Sequence, residues 1–406
     1  MTVEPTLTQA QTAATSDAGS GRRLSIVLYA TAVFLYWAAL YIYVPTLPTY
    51  VESKSSTLSL VGVVLAQYGI WQGLVRFPLG VLSDWIGRRK PFIIAGLILA
   101  GAGALVMGQA NGVLGLAAGR AITGLAASAW VPLVVVFSSL FPPQEAIRAT
   151  AILTLINSAG RGLATLATGS LNQLGGYSLP FSLAAGLSVL SVLAVLPVRE
   201  VRRPRKRPGL ADVGRLIARR DVLLPAVLAT ISQYGNWATT FGFLPILADR
   251  LGATDVTQSL MLSMNIGVLA LGQAVATALA NRVGARTLIT ASFILLAAGI
   301  GLAALAPALP LLFIAQFLIG SSQGIGYPVM MGMSIQHVAE ESRTTAMGLF
   351  QSLYAIGMFG GPALSGLLAD RMGIRPMFGL TAGICVLSGV LLTRMLAGRE
   401  RAPAVD

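Results

Sequence analysis

Twelve long apolar runs fill most of this 406-residue chain, and they decide what it can fold into. Each approaches the roughly 20 residues that a helix needs to cross about 30 Å of hydrocarbon. Their approximate limits are Ser25 to Leu47, Ser59 to Leu82, Pro91 to Gln109, Gly112 to Phe137, Ala146 to Ser170 and Leu179 to Leu196, then Val222 to Ala248, Thr257 to Ala280, Ala285 to Ala306, Pro310 to Ile335, Thr344 to Leu368 and Arg375 to Leu396. Backbone polar groups in lipid must be satisfied inside the protein, so these runs are expected to be helices. A barrel would need alternating strands of about ten residues, and the sequence shows none. The expected fold is an all-α integral membrane protein with twelve transmembrane helices. Only 11% of the residues are charged, against about 25% in a soluble domain.

The placement of charge fixes an expected topology. With Met1 taken as cytoplasmic and the sides alternating, 21 of the 28 Lys and Arg fall inside and four outside. The remaining three, Arg76, Arg120 and Arg161, lie within spans. The positive-inside rule then puts both termini in the cytoplasm of a cell that holds the chain in its cytoplasmic (inner) membrane. A net charge of +13 in a soluble chain would point to nucleic acid. Here it is a topology signal, and no nucleic-acid partner is expected. Residues 1–23 are rich in Thr, Ala, Ser, Gly and Gln and are expected to form a disordered cytoplasmic tail, not a signal peptide.

One long basic connection, residues 198–221, divides the chain into six-span halves at 24–197 and 222–397, followed by a tail at 398–406. The halves repeat. Trp37 to Pro45 matches Trp237 to Pro245, each with Trp, Ala, two aromatics and Pro in the same order. Arg120, Gly124, Pro132 and Glu145 fall on Gln316, Gly320, Pro328 and Glu341. Such a repeat points to a transporter with its substrate site between the halves near the midplane.

Gly80-Val-Leu-Ser-Asp84-Trp-Ile-Gly87-Arg88-Arg89-Lys90, between spans two and three, resembles the loop signature of the major facilitator superfamily. Gly119-Arg120-Ala-Ile-Thr-Gly124 on span four resembles that family's second signature, found especially in proton-linked members. The resemblance covers essentially the whole chain. It implies the two-half twelve-helix fold, alternating access, and proton-linked export of small organic compounds. The glycine-proline signature that drug/proton antiporters carry on span five is replaced by Asn157-Ser-Ala-Gly160-Arg161-Gly162. In the loop, Gly80 is expected to admit a neighbouring helix, and Asp84 to form a conformational latch with Gly87, Arg88 and Arg89. Arg88, Arg89 and Lys90 also read as membrane anchors.

A charge in a span needs a reason, since an arginine at a helix centre costs on the order of 3 kcal/mol to insert. Arg76, late in span two, is expected to snorkel and act structurally. Arg120 and Arg161 lie deeper. Arg161 shares a polar stripe with Thr154, Asn157, Ser158, Thr165 and Thr168 at helical spacing. None of the fifteen acids falls at mid-membrane. Two arginines without a carboxylate favour an anionic or neutral substrate over a cation. The rest of the pathway is expected from Tyr36, Trp37, Tyr41, Gln67, Trp71, Trp130, Gln233, Asn236, Trp237, Asn265, Gln316, Gln323, Tyr327, Gln351 and Tyr354. Any one of these is as readily an interhelical hydrogen bond.

No Walker loop, nucleophile elbow or metal-ligand cluster is present, and one Cys and one His leave little for a metal or disulfide framework. No enzyme activity, cofactor or metal is expected. The expected function is secondary transport of a small organic solute by a monomer in the lipid bilayer, with protons as partner. Alternatives are organic-anion uptake or exchange and lipid or glycolipid flipping.

Overall fold

The computed structural model describes residues 6–142, 145–198, 200 and 219–396. Helix follows helix, and no strand occurs among the described residues. The N-terminal half holds α1 (Thr6–Tyr41), α2 (Leu47–Ser53), α3 (Leu58–Ile86), α4 (Lys90–Gly108), α5 (Val113–Ala127), α6 (Trp130–Ser139), α7 (Ala146–Gly175) and α8 (Ser178–Val195). The C-terminal half holds α9 (Arg220–Ala238), a π-helical turn (Thr239–Phe243), α10 (Leu244–Arg250), α11 (Asp255–Val283), α12 (Ala285–Leu305), α13 (Leu309–Gln336), α14 (Glu340–Met372) and α15 (Ile374–Met395). Among the described residues, ten helical runs, with α5 and α6 counted as one, are long and apolar enough to cross a membrane. The other two expected spans are α7, which carries Arg148, Asn157, Arg161 and Asn172, and the interrupted run α9–π–α10.

Spans one, four and seven are broken where the sequence suggests continuous helices. The breaks share a cause. A proline ring clashes with the carbonyl four residues earlier. For Pro45, Pro132 and Pro245 those positions are Tyr41 at the end of α1, Ser128 between α5 and α6, and Phe241 in the π turn. Pro328, the repeat partner of Pro132, is accommodated inside an unbroken α13. Helix α1 starts at Thr6, within the stretch expected as a tail, and runs through Gly19 and Gly21 into the first apolar run. Most of the basic connection and the 398–406 tail lie outside the described residues.

The repeat is visible in backbone contacts. A Cβ on Gly160 would stand 2.6 Å from the Phe34 carbonyl oxygen, and one on Gly357 would stand 2.0 Å from that of Thr230. Likewise Gly124 meets the Tyr68 carbonyl at 2.6 Å and Gly320 meets that of Asn265 at 2.8 Å. These small residues let helices touch backbone to backbone, which is how helices associate in lipid. Phe34 therefore corresponds to Thr230, so the helical register of spans one and seven is not the one that matches Trp37 with Trp237. The same offset of about 197 runs from the ends of α1 and α9 (Tyr41, Ala238) to the starts of α2 and α10 (Leu47, Leu244), so in the fold Pro245 answers to Pro48.

The basic loops gather at one end of the bundle. The halves close on each other at the opposite end. There α7 crosses α11 where Gly169 abuts Val256, and α14 crosses α3 where Gly366 abuts Leu58 and Gly62. Polar pins reinforce both crossings. Asp370 of α14 accepts from the Leu58 and Ser59 backbone N–H at 2.7 and 2.8 Å and from the Ser59 hydroxyl. It thereby caps α3 from the other half. Asn172 of α7 donates to Asp255 at the start of α11 at 2.9 Å. Glu52 and Arg250, at the ends of α2 and α10, form an ion pair of 2.7 Å.

Candidate functional site

The predicted pathway residues separate into groups. At the centre, Trp37 and Tyr41 of α1 pack at 5.8 Å between ring centroids, and Trp37 meets Trp130 of α6 edge-on at 5.4 Å. Tyr41 continues across the half boundary to Phe241 at 6.4 Å, and Phe241 to Trp237 at 4.7 Å. Trp237 then stacks on Tyr68 of α3 at 5.4 Å and 18° between planes, returning to the N-terminal half. Tyr68 and Phe241 are absent from the sequence expectation, since a lone aromatic in an apolar span carries no periodic signal.

Each end of this aromatic chain carries an arginine. The Arg120 guanidinium lies 4.4 Å from the Tyr68 ring centroid. That of Arg161 lies 4.3 Å from Tyr41 and 5.9 Å from Trp37. Cation–π contact on a desolvated ring contributes about 2 kcal/mol, enough to hold a guanidinium in place. It engages the face of the guanidinium and not its in-plane N–H donors. Arg120 is 3% exposed, and the Nε atoms of both arginines are buried without a partner. No ion pair with a carboxylate is present for either among the described residues. Asn157, one turn before Arg161, has a buried Oδ1 without a partner. The arrangement is a pair of preoriented donor forks beside flat apolar surfaces, suited to an acidic group on an aromatic or aliphatic body.

The C-terminal half answers this arrangement differently. Gln316, the repeat partner of Arg120, has its Oε1 bonded by Asn265 at 2.8 Å and by Thr240 at 3.1 Å. Asn265 in turn holds the position that Tyr68 holds in the first half. One half thus places a cation on a ring, and the other a closed amide pair. Gln233 donates to Gln323, and Gln323 to Ser232, at 3.2 and 2.9 Å. These four amides are interhelical fasteners. Asn236 is buried with a free Oδ1. Tyr36 donates to the Ala126 carbonyl at 2.7 Å, a fastener between α1 and α5. Gln67 and Trp71 bond each other at 3.2 Å on the exposed face of α3, away from its buried face with Tyr68, Gln72 and Arg76.

Nearer the basic end, Tyr354 of α14 and Tyr327 of α13 meet edge-on at 5.8 Å, with Gln351 one turn from Tyr354. Arg76 is a correction. It does not snorkel but is 5% exposed, and its Nη1 donates 2.7 Å to the Tyr354 hydroxyl. Ten residues of α3, about 15 Å of rise, separate it from Ile86 at the basic end, so it lies too deep to reach the surface. The loop residues are also placed. Gly87 ends α3 with φ +67, a left-handed conformation that glycine adopts without strain. Gly80 stands 4.0 Å from Val131 at a virtual Cβ, an ordinary contact and not the close approach expected of it. Glu200 caps α4 through the Arg89 and Lys90 backbone N–H at 2.6 and 3.1 Å. Lys90 Nζ bonds the Leu196 and Val198 carbonyls past α8. Arg88 is exposed. These contacts stay within one half, and the Asp84 side chain lies outside the described residues.

The family model of the Major Facilitator Superfamily matches residues 29–228 and again 226–406. The chain belongs to this superfamily. Its membership makes it a multi-pass membrane transporter and not an enzyme, with the all-α fold described above. Among major facilitator relatives, an uncharacterized MFS-type transporter of Methanocaldococcus jannaschii is 22% identical over 84% of this chain and 90% of its own length. Multidrug resistance protein MdtH of Aeromonas salmonicida is 25% identical over 79% of this chain and 81% of its own. Two solved structures share the fold. A bacterial homologue of the human lysosomal transporter Spinster, inward-facing and unoccupied, has a TM-score of 0.73 at 15% identity, covering 92% of this chain and 97% of that one. The human organic anion transporter MFSD10 has 0.66 at 17% identity, covering 91% and 99%.

Proposed function

We propose that this chain is a secondary transporter of small organic anions, with the acidic group held by Arg120 and Arg161 and the body laid along the Tyr41–Phe241–Trp237–Tyr68 rings. The observation that carries this reading is the pair of guanidiniums, Arg120 buried and Arg161 half-buried, resting on tyrosine faces without carboxylate partners among the described residues. A cationic substrate would meet two like charges there, which in a low-dielectric site costs several kcal/mol. The organic anion named for MFSD10 and the drug resistance named for MdtH are compatible with it. The direction proposed is proton-linked export across the cytoplasmic membrane by a monomer, with both termini cytoplasmic. The loop signature around Asp84 is proposed as the latch of the opposite state. Uptake or exchange of the same anion class uses the same site.

The test is binding of 1-naphthoate and its uncharged isostere 1-naphthamide to the purified chain, read by quenching of Trp37 and Trp237 fluorescence. Naphthoate is expected to bind more tightly. Arg120→Gln and Arg161→Gln are each expected to raise its Kd about tenfold and to leave naphthamide unchanged. Equal affinity of the wild type for both compounds refutes the anion reading.

A further inference from the structure

We infer that Arg76, with Tyr354 and Tyr327, forms a second anion-binding station between the central arginines and the basic end. The inference rests on the organic-anion reading above and adds a site to it. Tyr68, Gln72 and Arg76 recur every four residues along the buried face of α3. By helical rise, Arg76 lies about 12 Å nearer the basic end than the ring that carries Arg120.

The chemistry at Arg76 is incomplete. A guanidinium offers five donors, and its Nη1–H donates to one neutral phenol, Tyr354, at 2.7 Å. Its Nε is buried with no partner. No carboxylate pairs with it among the described residues. Two other buried atoms close by in sequence lack partners, Gln72 Oε1 one turn back on α3 and Gln351 Oε1 one turn back on α14. Either amide can rotate to present its NH2 group instead. A carboxylate here gains charge-assisted and bidentate bonds that a phenol oxygen does not supply. The anion therefore displaces the Tyr354 hydroxyl from Arg76.

That exchange has a mechanical side. Arg76 belongs to the N-terminal half and Tyr354 to the C-terminal half, so their bond is a tie between the halves. An anion that takes the guanidinium releases the tie. Arrival of substrate at this station and loosening of α3 from α14 are one event.

The test uses the full chain and the same probes. Arg76→Gln is expected to raise the Kd for 1-naphthoate about tenfold, with 1-naphthamide unchanged. Tyr354→Phe removes the competing hydroxyl and keeps the arginine, so naphthoate is expected to bind several-fold more tightly. A purely structural role for the Arg76–Tyr354 bond moves both variants the same way. If Arg76→Gln does not fold, Tyr354→Phe alone decides, and unchanged or weaker naphthoate binding overturns the proposal. If Arg120→Gln and Arg161→Gln weaken naphthoate binding while Arg76→Gln leaves it unchanged, the central site stands and this station falls. If the wild type itself does not prefer naphthoate, both fall.

Discussion

Asp370 offers a measure of how firmly the two halves close. Its carboxylate belongs to α14, yet it caps the first turn of α3 through two backbone N–H groups and a hydroxyl. Within its own half α3 has a separate cap, the Thr57 hydroxyl accepting from Leu60 N–H at 3.3 Å. Removing a capping acceptor typically costs about 1 kcal/mol. Asp370 is exposed, so solvent screens its charge, and we take that figure rather than the larger one for buried charged bonds. About 1 kcal/mol changes a two-state ratio roughly fivefold. Asp370→Asn and Asp370→Ala are therefore expected to increase the population separated at this end about fivefold, with Ala the larger effect. The single cysteine, Cys385, is buried and can be replaced by Ser. Cysteines at the exposed Leu114 and Leu305 then carry spin labels, one on each half at the closed end. Double electron–electron resonance in nanodiscs reads the distance between them. Thr57→Ala should lower stability without separating the labels, because its bond stays within α3. An unchanged distance distribution in both Asp370 variants, or equal separation in Thr57→Ala, refutes the assignment of Asp370 as a pin between halves.

Other expectations follow from particular contacts. Gly357→Ala places a methyl against the Thr230 carbonyl and should abolish folding or cost more than about 3 kcal/mol, whereas Gly379→Ala, with open space around it, should gain about 0.5–1 kcal/mol, both read as detergent melting temperatures. Tyr68→Phe keeps a ring beneath Arg120 and should retain naphthoate binding, while Tyr68→Leu should weaken it several-fold. Burial and the neighbouring Asp255 hold the Asp249 carboxyl above its usual range, partly offset by Arg250. A raised carboxyl pKa means that the charged form opposes the folded arrangement, so stability from this group grows as pH falls through that range. Asp249→Asn should then raise the melting temperature at neutral pH, and the gain should vanish in acid. Glu200→Gln, which weakens the α4 cap, should lower the melting temperature without altering naphthoate binding.

Much of the architecture is legible in the sequence because lipid imposes one rule on every span. Apolar length alone places most of the helices, although α1 begins well before its apolar run and three spans are interrupted. What the pattern does not reveal is local. The breaks at Tyr41, Ser128 and Phe241 depend on prolines whose clash lies four residues upstream, while Pro328 causes none. The match of Trp37 with Trp237 is a resemblance of residues and not of position, because the backbone contacts and element bounds of the two halves keep an offset of 196–197, not 200. At the site, Arg120 and Arg161 stand out because charge in a span is costly. Tyr68 does not, since only the fold brings it beneath a guanidinium 52 residues further along the chain. The four amides Gln233, Gln323, Asn265 and Gln316 read as pathway groups, and the fold hydrogen-bonds them to one another and to Ser232 and Thr240 between helices. Arg76 reads as peripheral from its place late in span two, and only the fold buries it against Tyr354.

The two glycine crossings at the closed end bear on the speed of the cycle. Long side chains that must be ordered each time a gap shuts lose up to about 2 kcal/mol of rotamer freedom apiece. Where Gly169 and Gly366 bring main chain against main chain, there is little to order. The seam can part and reseal with small entropic resistance in either direction, so its timing is left to the few polar groups that straddle it.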